Sequence, residues 1–73
     1  MIKKSVLIEQ KSKVTCKNLQ LHIKTEKREA SIPIEDIGFL VIDNPETYVS
    51  IPALNLLVEN NTSVIICNTS HLP

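Results

Sequence analysis

Few residues of this 73-residue chain have both the type and the spacing to do chemistry. Cys16 and Cys67 stand far apart with no C-x-x-C pair, so neither a zinc site nor a redox dithiol is indicated. Each lies in an apolar stretch, which suits a small buried hydrophobe. His22 falls between Gln20 and Lys24, and His71 near the end of the chain. Neither has a carboxylate or a second histidine at ligand spacing, so both read as surface residues. Glu35 and Asp36 are adjacent, and adjacent side chains diverge rather than converge on one ion. With Asp43 as a third acid they make a poor metal set and a better polar turn. No Ser, Thr or Cys has a histidine placed to activate it, and a single Gly leaves no phosphate-cradling loop. On this reading the chain has no catalytic, cofactor-binding or metal site of its own.

What remains is a pattern of charge. The formal net charge is zero, but all eight basic residues lie between Lys3 and Arg28, where only Glu9 and Glu26 oppose them. The chain from Glu29 onward has six carboxylates and no Lys or Arg. Such asymmetry points to contact with a polyanion such as nucleic acid; equally, the two halves could pair with each other. For the first case the DNA-contact candidates are Lys11, Lys13, Lys17 and Lys24, basic groups on a turn and on neighbouring strands. With one Phe and one Tyr in the chain, base stacking is nearly excluded, so contact should be with the phosphate backbone.

The elements that must position these lysines are legible as alternation. Ser5 to Glu9 reads as a strand with Val6 and Ile8 on one face, followed by a polar turn from Gln10 to Lys13. Val14 and Cys16 alternate with Thr15 and Lys17 in a second strand, and Asn18 is the turn residue. Leu19, Leu21 and Ile23 alternate with Gln20, His22 and Lys24 in a third. After a charged connection at Thr25 to Lys27, Ala30, Ile32 and Ile34 define a fourth, with Pro33 marking an edge. These four read as an antiparallel meander.

From Gly38 to Ile42 the run is continuously apolar, as in a strand covered on both faces, and Phe39 is expected in the core. A β-prone piece, Thr47-Tyr48-Val49, follows. Ser50 offers an N-cap with Pro52 in the first turn, and Ile51, Leu54, Leu57 and Val58 recur at helical spacing until Asn60-Asn61. Val64 to Cys67 is a further apolar strand, expected to lie near the Gly38–Ile42 strand in one sheet. The expected class is mainly β: a small β-sandwich of antiparallel hairpins, with one helix crossing between buried strands. No stretch approaches the roughly 20 apolar residues of a membrane helix, and no signal peptide is evident, so a cytoplasmic chain with no membrane role is expected. The length suits one domain, residues 1–73, near the lower limit for an unaided core.

The block Ile32-Pro33-Ile34-Glu35-Asp36-Ile37-Gly38, the helix end Leu56-Leu57-Val58-Glu59-Asn60-Asn61, the strand Val64-Ile65-Ile66-Cys67 and the terminal His71-Leu72-Pro73 carry a resemblance. So do the opening Met1-Ile2-Lys3-Lys4 and the strand Leu19-Gln20-Leu21-His22-Ile23-Lys24. Together they resemble the N-terminal domain of the CRISPR-associated integrase, the nuclease subunit of the spacer-acquisition complex, in its type II branch. The resemblance implies a β-sandwich that builds a homodimer and helps hold double-stranded DNA, with a second universal CRISPR adaptation protein as partner. It also implies a larger helical domain holding the Glu, His and Asp ligands of a catalytic divalent metal, magnesium or manganese. Those positions lie outside this chain, so an N-terminal fragment without endonuclease or integrase chemistry of its own is expected. Leu19 departs from the Gly or polar residue that many relatives have, and suggests a longer or different turn. A stand-alone protein–protein interaction module, with no nucleic-acid role, is the alternative reading.

Overall fold

The computed structural model describes residues 3–67. His71, the Met1-Ile2 start and the His71-Leu72-Pro73 block lie outside the described residues. In chain order the elements are β1 (Lys4–Ile8), β2 (Lys13–Lys17), β3 (Gln20–Lys24), β4 (Glu29–Pro33), a single 3-10 turn (Ile34–Asp36), β5 (Ile37–Ile42), β6 (Tyr48–Val49), α1 (Ile51–Glu59) and β7 (Ser63–Ile66).

The strands form two sheets. One has the order β1–β5–β7 and is parallel at both pairings. The other has the order β4–β3–β2–β6, antiparallel from β4 to β2 and parallel where β6 joins β2. A single core draws on both. Ile8, Ile37, Leu40 and Ile42 come from the first sheet, Val14 and Leu21 from the second, and Ala53 and Leu57 from the helix. The mainly β expectation holds, with one α-helix carrying the chain between the neighbouring parallel strands β5 and β7. No helix among the described residues is long and apolar enough to cross a membrane.

Local chemistry explains the ends of the helix. The Ser50 hydroxyl accepts the Ala53 N–H at 3.2 Å, and Pro52 occupies the first turn. At the other end Asn61 takes a left-handed conformation, φ 58°. The Thr62 N–H then reaches Leu57 O at 2.9 Å and the Asn61 N–H reaches Val58 O at 3.0 Å. This is the Schellman arrangement, with Asn in the place usually held by Gly. Thr62, buried, donates its hydroxyl to Ile37 O at 2.9 Å, and Asn60 Nδ2 donates to Ile34 O at 2.8 Å. The helix end is thereby tied to the start of β5.

Several expectations are corrected. The antiparallel meander holds for β2–β3–β4 only; β1 leaves it and pairs in parallel with β5. Its alternation marks a half-buried strand but carries no information about the partner. The register of β1 on β5 slips between Lys4 and Ser5, with Gly38 the extra residue. A Cβ at Gly38 would meet the Lys3 Cβ at 3.1 Å, so the bulge falls where a side chain would crowd. Phe39 is 49% exposed, not in the core, because β5 is covered on one face only. Cys16 and Cys67 are free and half-buried. The turn at Asn18-Leu19 is a tight two-residue hairpin despite its Leu: both residues have positive φ, 54° and 61°, and Lys17 pairs with Gln20.

Candidate nucleic-acid interface

Register decides which basic residues meet. Across β2 and β3, Lys13 stands opposite Lys24, Thr15 opposite His22, and Lys17 opposite Gln20. β4 extends these rows with Glu29, Ser31 and Pro33, and β6 sets Tyr48 beside Lys13. Side chains directly opposite one another share a face. Val14, Leu21 and Ile23 pack toward the core from the other side, so these three rows form the outer face of the four-stranded sheet.

Of the four candidate lysines, three converge. Lys11, Lys13 and Lys24 rim one shallow depression of about 370 Å³, together with Ser12, Thr25, Tyr48 and the carboxylates Glu26 and Glu46. Lys17 is apart, at the other end of β2, about 13 Å from Lys13 at the usual rise along a strand. The four therefore divide into a group of three at one end of the β2–β3 pair and a single lysine at the other. Lys13 Nζ lies 5.9 Å from the centroid of the Tyr48 ring, within reach of a cation–π contact.

The loops that carry the depression are built from short polar links. Asn44 Nδ2 donates to Glu9 O at 3.4 Å and Thr47 Oγ1 to Gln10 O at 3.4 Å, joining the β5–β6 loop to the β1–β2 loop. Ser12 Oγ donates to Gln10 O at 2.7 Å, and the Tyr48 N–H bonds Ser12 O at 2.9 Å. These bonds place Lys11 beside Tyr48. On the far side, Thr25 Oγ1 accepts the Arg28 N–H at 3.0 Å and the Lys27 N–H at 3.3 Å, which shapes the β3–β4 turn. That turn brings Lys27 to a second shallow depression shared with Gln10, Lys11 and Glu26.

Two residues on this face carry more than sequence reasoning assigned them. His22, read as an ordinary surface residue, lies in the central row with its Nδ1 2.9 Å from the Ser31 hydroxyl. Tyr48, read only as part of a β-prone piece, stands at the rim of the lysine depression. Cross-strand register, which a single strand's alternation does not encode, supplies both placements.

Glu35, Asp36 and Asp43 do not assemble. Glu35 and Asp36 precede β5 and Asp43 follows it, so the six-residue strand separates them by about 20 Å. No group of three or more His, Cys, Asp or Glu side chains among the described residues could hold a metal ion. A catalytic divalent ion does not fit the acids of this domain.

The outer face of the other sheet is the opposite in character. Leu7, Val41 and Ile65 stand in one row across β1, β5 and β7, with Phe39 on the same face. Leu7 is 58% exposed and Ile65 44%. Parallel sheets are ordinarily covered on both faces, so this open apolar face is unusual for a finished surface.

No protein-family model matches the chain. Over 70 residues it is 32% identical to the CRISPR-associated endonuclease Cas1 of Neisseria meningitidis serogroup C (strain 8013), which takes in 96% of this chain and 23% of that protein. Its fold is similar to the solved TtCas1–DNA complex, with a TM-score of 0.77 at 21% identity over 92% of this chain and 24% of that one. It is also similar to a partial Cas6-RT-Cas1–Cas2 complex, with a TM-score of 0.81 at 18% identity over 89% of this chain and 20% of that one. The chain thus spans about a quarter of the length of these relatives. At these identities the structural likeness is one of fold. The sequence likeness over nearly the whole chain bears out the resemblance to CRISPR-associated Cas1 proteins, and the solved Cas1 structures share its fold.

Proposed function

We propose that this chain, similar along nearly its whole length to a Cas1 protein, is the N-terminal domain of a CRISPR adaptation integrase of the type II branch. Its work is dimer assembly and the positioning of duplex DNA. The observation that carries this reading is the contrast between its two outer faces. One sheet presents Lys13, Lys17 and Lys24 to solvent; the other presents Leu7, Phe39 and Ile65. The first suits a phosphate backbone, and the second suits a copy of the same chain.

Metal-dependent DNA cleavage and spacer integration belong, in this proposal, to a larger helical domain of the same polypeptide, which would hold the magnesium or manganese. A Cas1–DNA complex and a Cas1–Cas2 assembly among the fold neighbours support DNA and a Cas2-type protein as partners; that the DNA is duplex and the setting cytoplasmic is part of the proposal.

The test is duplex binding by fluorescence anisotropy across a salt series. The logarithm of affinity should fall linearly with the logarithm of salt concentration, with a slope of about −0.9 per phosphate neutralised. Lys11→Glu combined with Lys13→Glu should weaken binding and flatten the slope. Salt-independent binding, or none at low salt, counts against a DNA role.

A further inference from the structure

We infer that His22, set by Ser31, is a phosphate-contacting hydrogen-bond donor at the centre of the basic sheet face. The inference rests on the DNA reading above and names a member of that site which charge alone does not reveal.

The argument begins with placement. His22 lies in the middle row of the outer face, between Thr15 on β2 and Ser31 on β4. The row on one side holds Lys13, Lys24 and Glu29; the row on the other holds Lys17, Gln20 and Pro33. A phosphate backbone that runs along β2 from Lys13 to Lys17 would therefore pass beside the imidazole. Glu29 is the one carboxylate on this face within a neighbouring row, and Lys24 stands directly opposite it.

Hydrogen bonding then fixes the chemistry. The Ser31 hydroxyl and His22 Nδ1 are 2.9 Å apart. A serine hydroxyl can donate or accept, so it can follow either tautomer of the ring. When it donates to Nδ1, the imidazole proton resides on Nε2, and the neutral ring offers an N–H to an acceptor above the sheet. The Ser31 bond occupies Nδ1, so Nε2 is the nitrogen available to a ligand. Ser31 is exposed and His22 half-buried, so their pairing gains little over hydrogen bonds to water. The pairing orients the ring, which is the property a backbone-contacting donor needs.

A neutral donor leaves a signature that a lysine does not. Losing it weakens binding without changing the salt slope, because no counterion is released through it. The experiment uses the 73-residue chain with imidazole-15N histidine and a short duplex, followed by two-dimensional NMR and anisotropy. Addition of duplex should move the His22 Nε2 resonance, in the tautomer protonated at Nε2. His22→Leu should weaken binding about three- to tenfold at an unchanged salt slope, the range for one hydrogen bond. His22→Gln, whose amide reaches about as far as Nε2, should restore most of that loss. Ser31→Ala should leave the fold intact by circular dichroism, broaden the tautomer mixture and weaken binding by a smaller factor.

Duplex binding that is salt-dependent and lysine-dependent, with His22 resonances unmoved and His22→Leu binding like the parent chain, overturns this inference alone. No duplex binding at low salt overturns both it and the reading on which it rests.

Discussion

Lys13 and Lys24 stand directly opposite one another on the solvent face of the β2–β3 pair, although the fold gains nothing from the repulsion. Like charges in that position are destabilising, on the order of 0.2–1 kcal/mol. Lys13→Glu turns the pair into an attraction; against this it gives up a contact with Tyr48 near the limit of cation–π range and sets a carboxylate in the depression that the exposed Glu26 and Glu46 also rim. We predict that this variant keeps its stability or gains up to about 1 kcal/mol in urea denaturation, while its affinity for duplex DNA falls. The opposite signs are the point. If both quantities fall together, Lys13 serves the fold, and its use as a phosphate contact loses support.

Leu19 is 70% exposed and held at φ 61°, where a side chain costs roughly 1–2 kcal/mol. Leu19→Gly removes that strain and creates the Asn-Gly pair that two-residue hairpins favour. Against it stands the greater backbone entropy of Gly in the unfolded chain, about 0.5–1 kcal/mol. The net expectation is a gain of about 0.5–1 kcal/mol, or a few degrees in melting temperature for a domain of this size. A lower melting temperature would mean that Leu19 makes a stabilising contact outweighing its backbone strain.

This turn also marks where local sequence stops being informative. Alternation along Gln20 to Lys24 locates β3 and its wet face, because successive side chains of a strand point to opposite faces of the sheet. The Ser50 cap and the 3.6-residue spacing located α1 for a similarly local reason. Phe39 was misplaced because a continuous apolar run looks the same whether one or both of its faces are covered. The partner of β1 lies some thirty residues away along the chain, beyond the reach of any periodicity. The candidate site divides in the same way. The lysines were visible as an imbalance of charge, whereas the meeting of Lys13 with Lys24, and of His22 with Ser31, is set by register.

Thr62 is 7% exposed and donates its hydroxyl to Ile37 O at 2.9 Å while accepting from Asn60 Nδ2 at 3.3 Å. Thr62→Val keeps the shape and removes both bonds. A buried carbonyl then loses a donor, which costs about 1–3 kcal/mol. The midpoint of urea denaturation should fall accordingly, with an unchanged slope. The loss matters in so short a chain, whose total stability is expected near the low end of the 5–15 kcal/mol range typical of domains. A change below about 0.5 kcal/mol would show that the link between the helix end and β5 is dispensable.

The apolar outer face of the β1–β5–β7 sheet bears on self-association. Leu7, Val41 and Ile65 align across three parallel strands, and Phe39 adds a ring on the same side. Covering this face removes apolar surface from water at about 25 cal/mol per Å², and a second copy offers a surface of the same kind. Phe39→Thr combined with Ile65→Thr keeps strand propensity and makes the face polar. Sedimentation equilibrium of the parent chain should show a concentration-dependent dimer, and the double variant should remain monomeric at the same concentrations. Its unfolding free energy, measured where the parent is also monomeric, should fall by no more than about 1–3 kcal/mol, because each side chain is only about half buried in the single chain. A parent chain that stays monomeric at high concentration, or a variant that dimerises as strongly, would remove this face as the dimer contact.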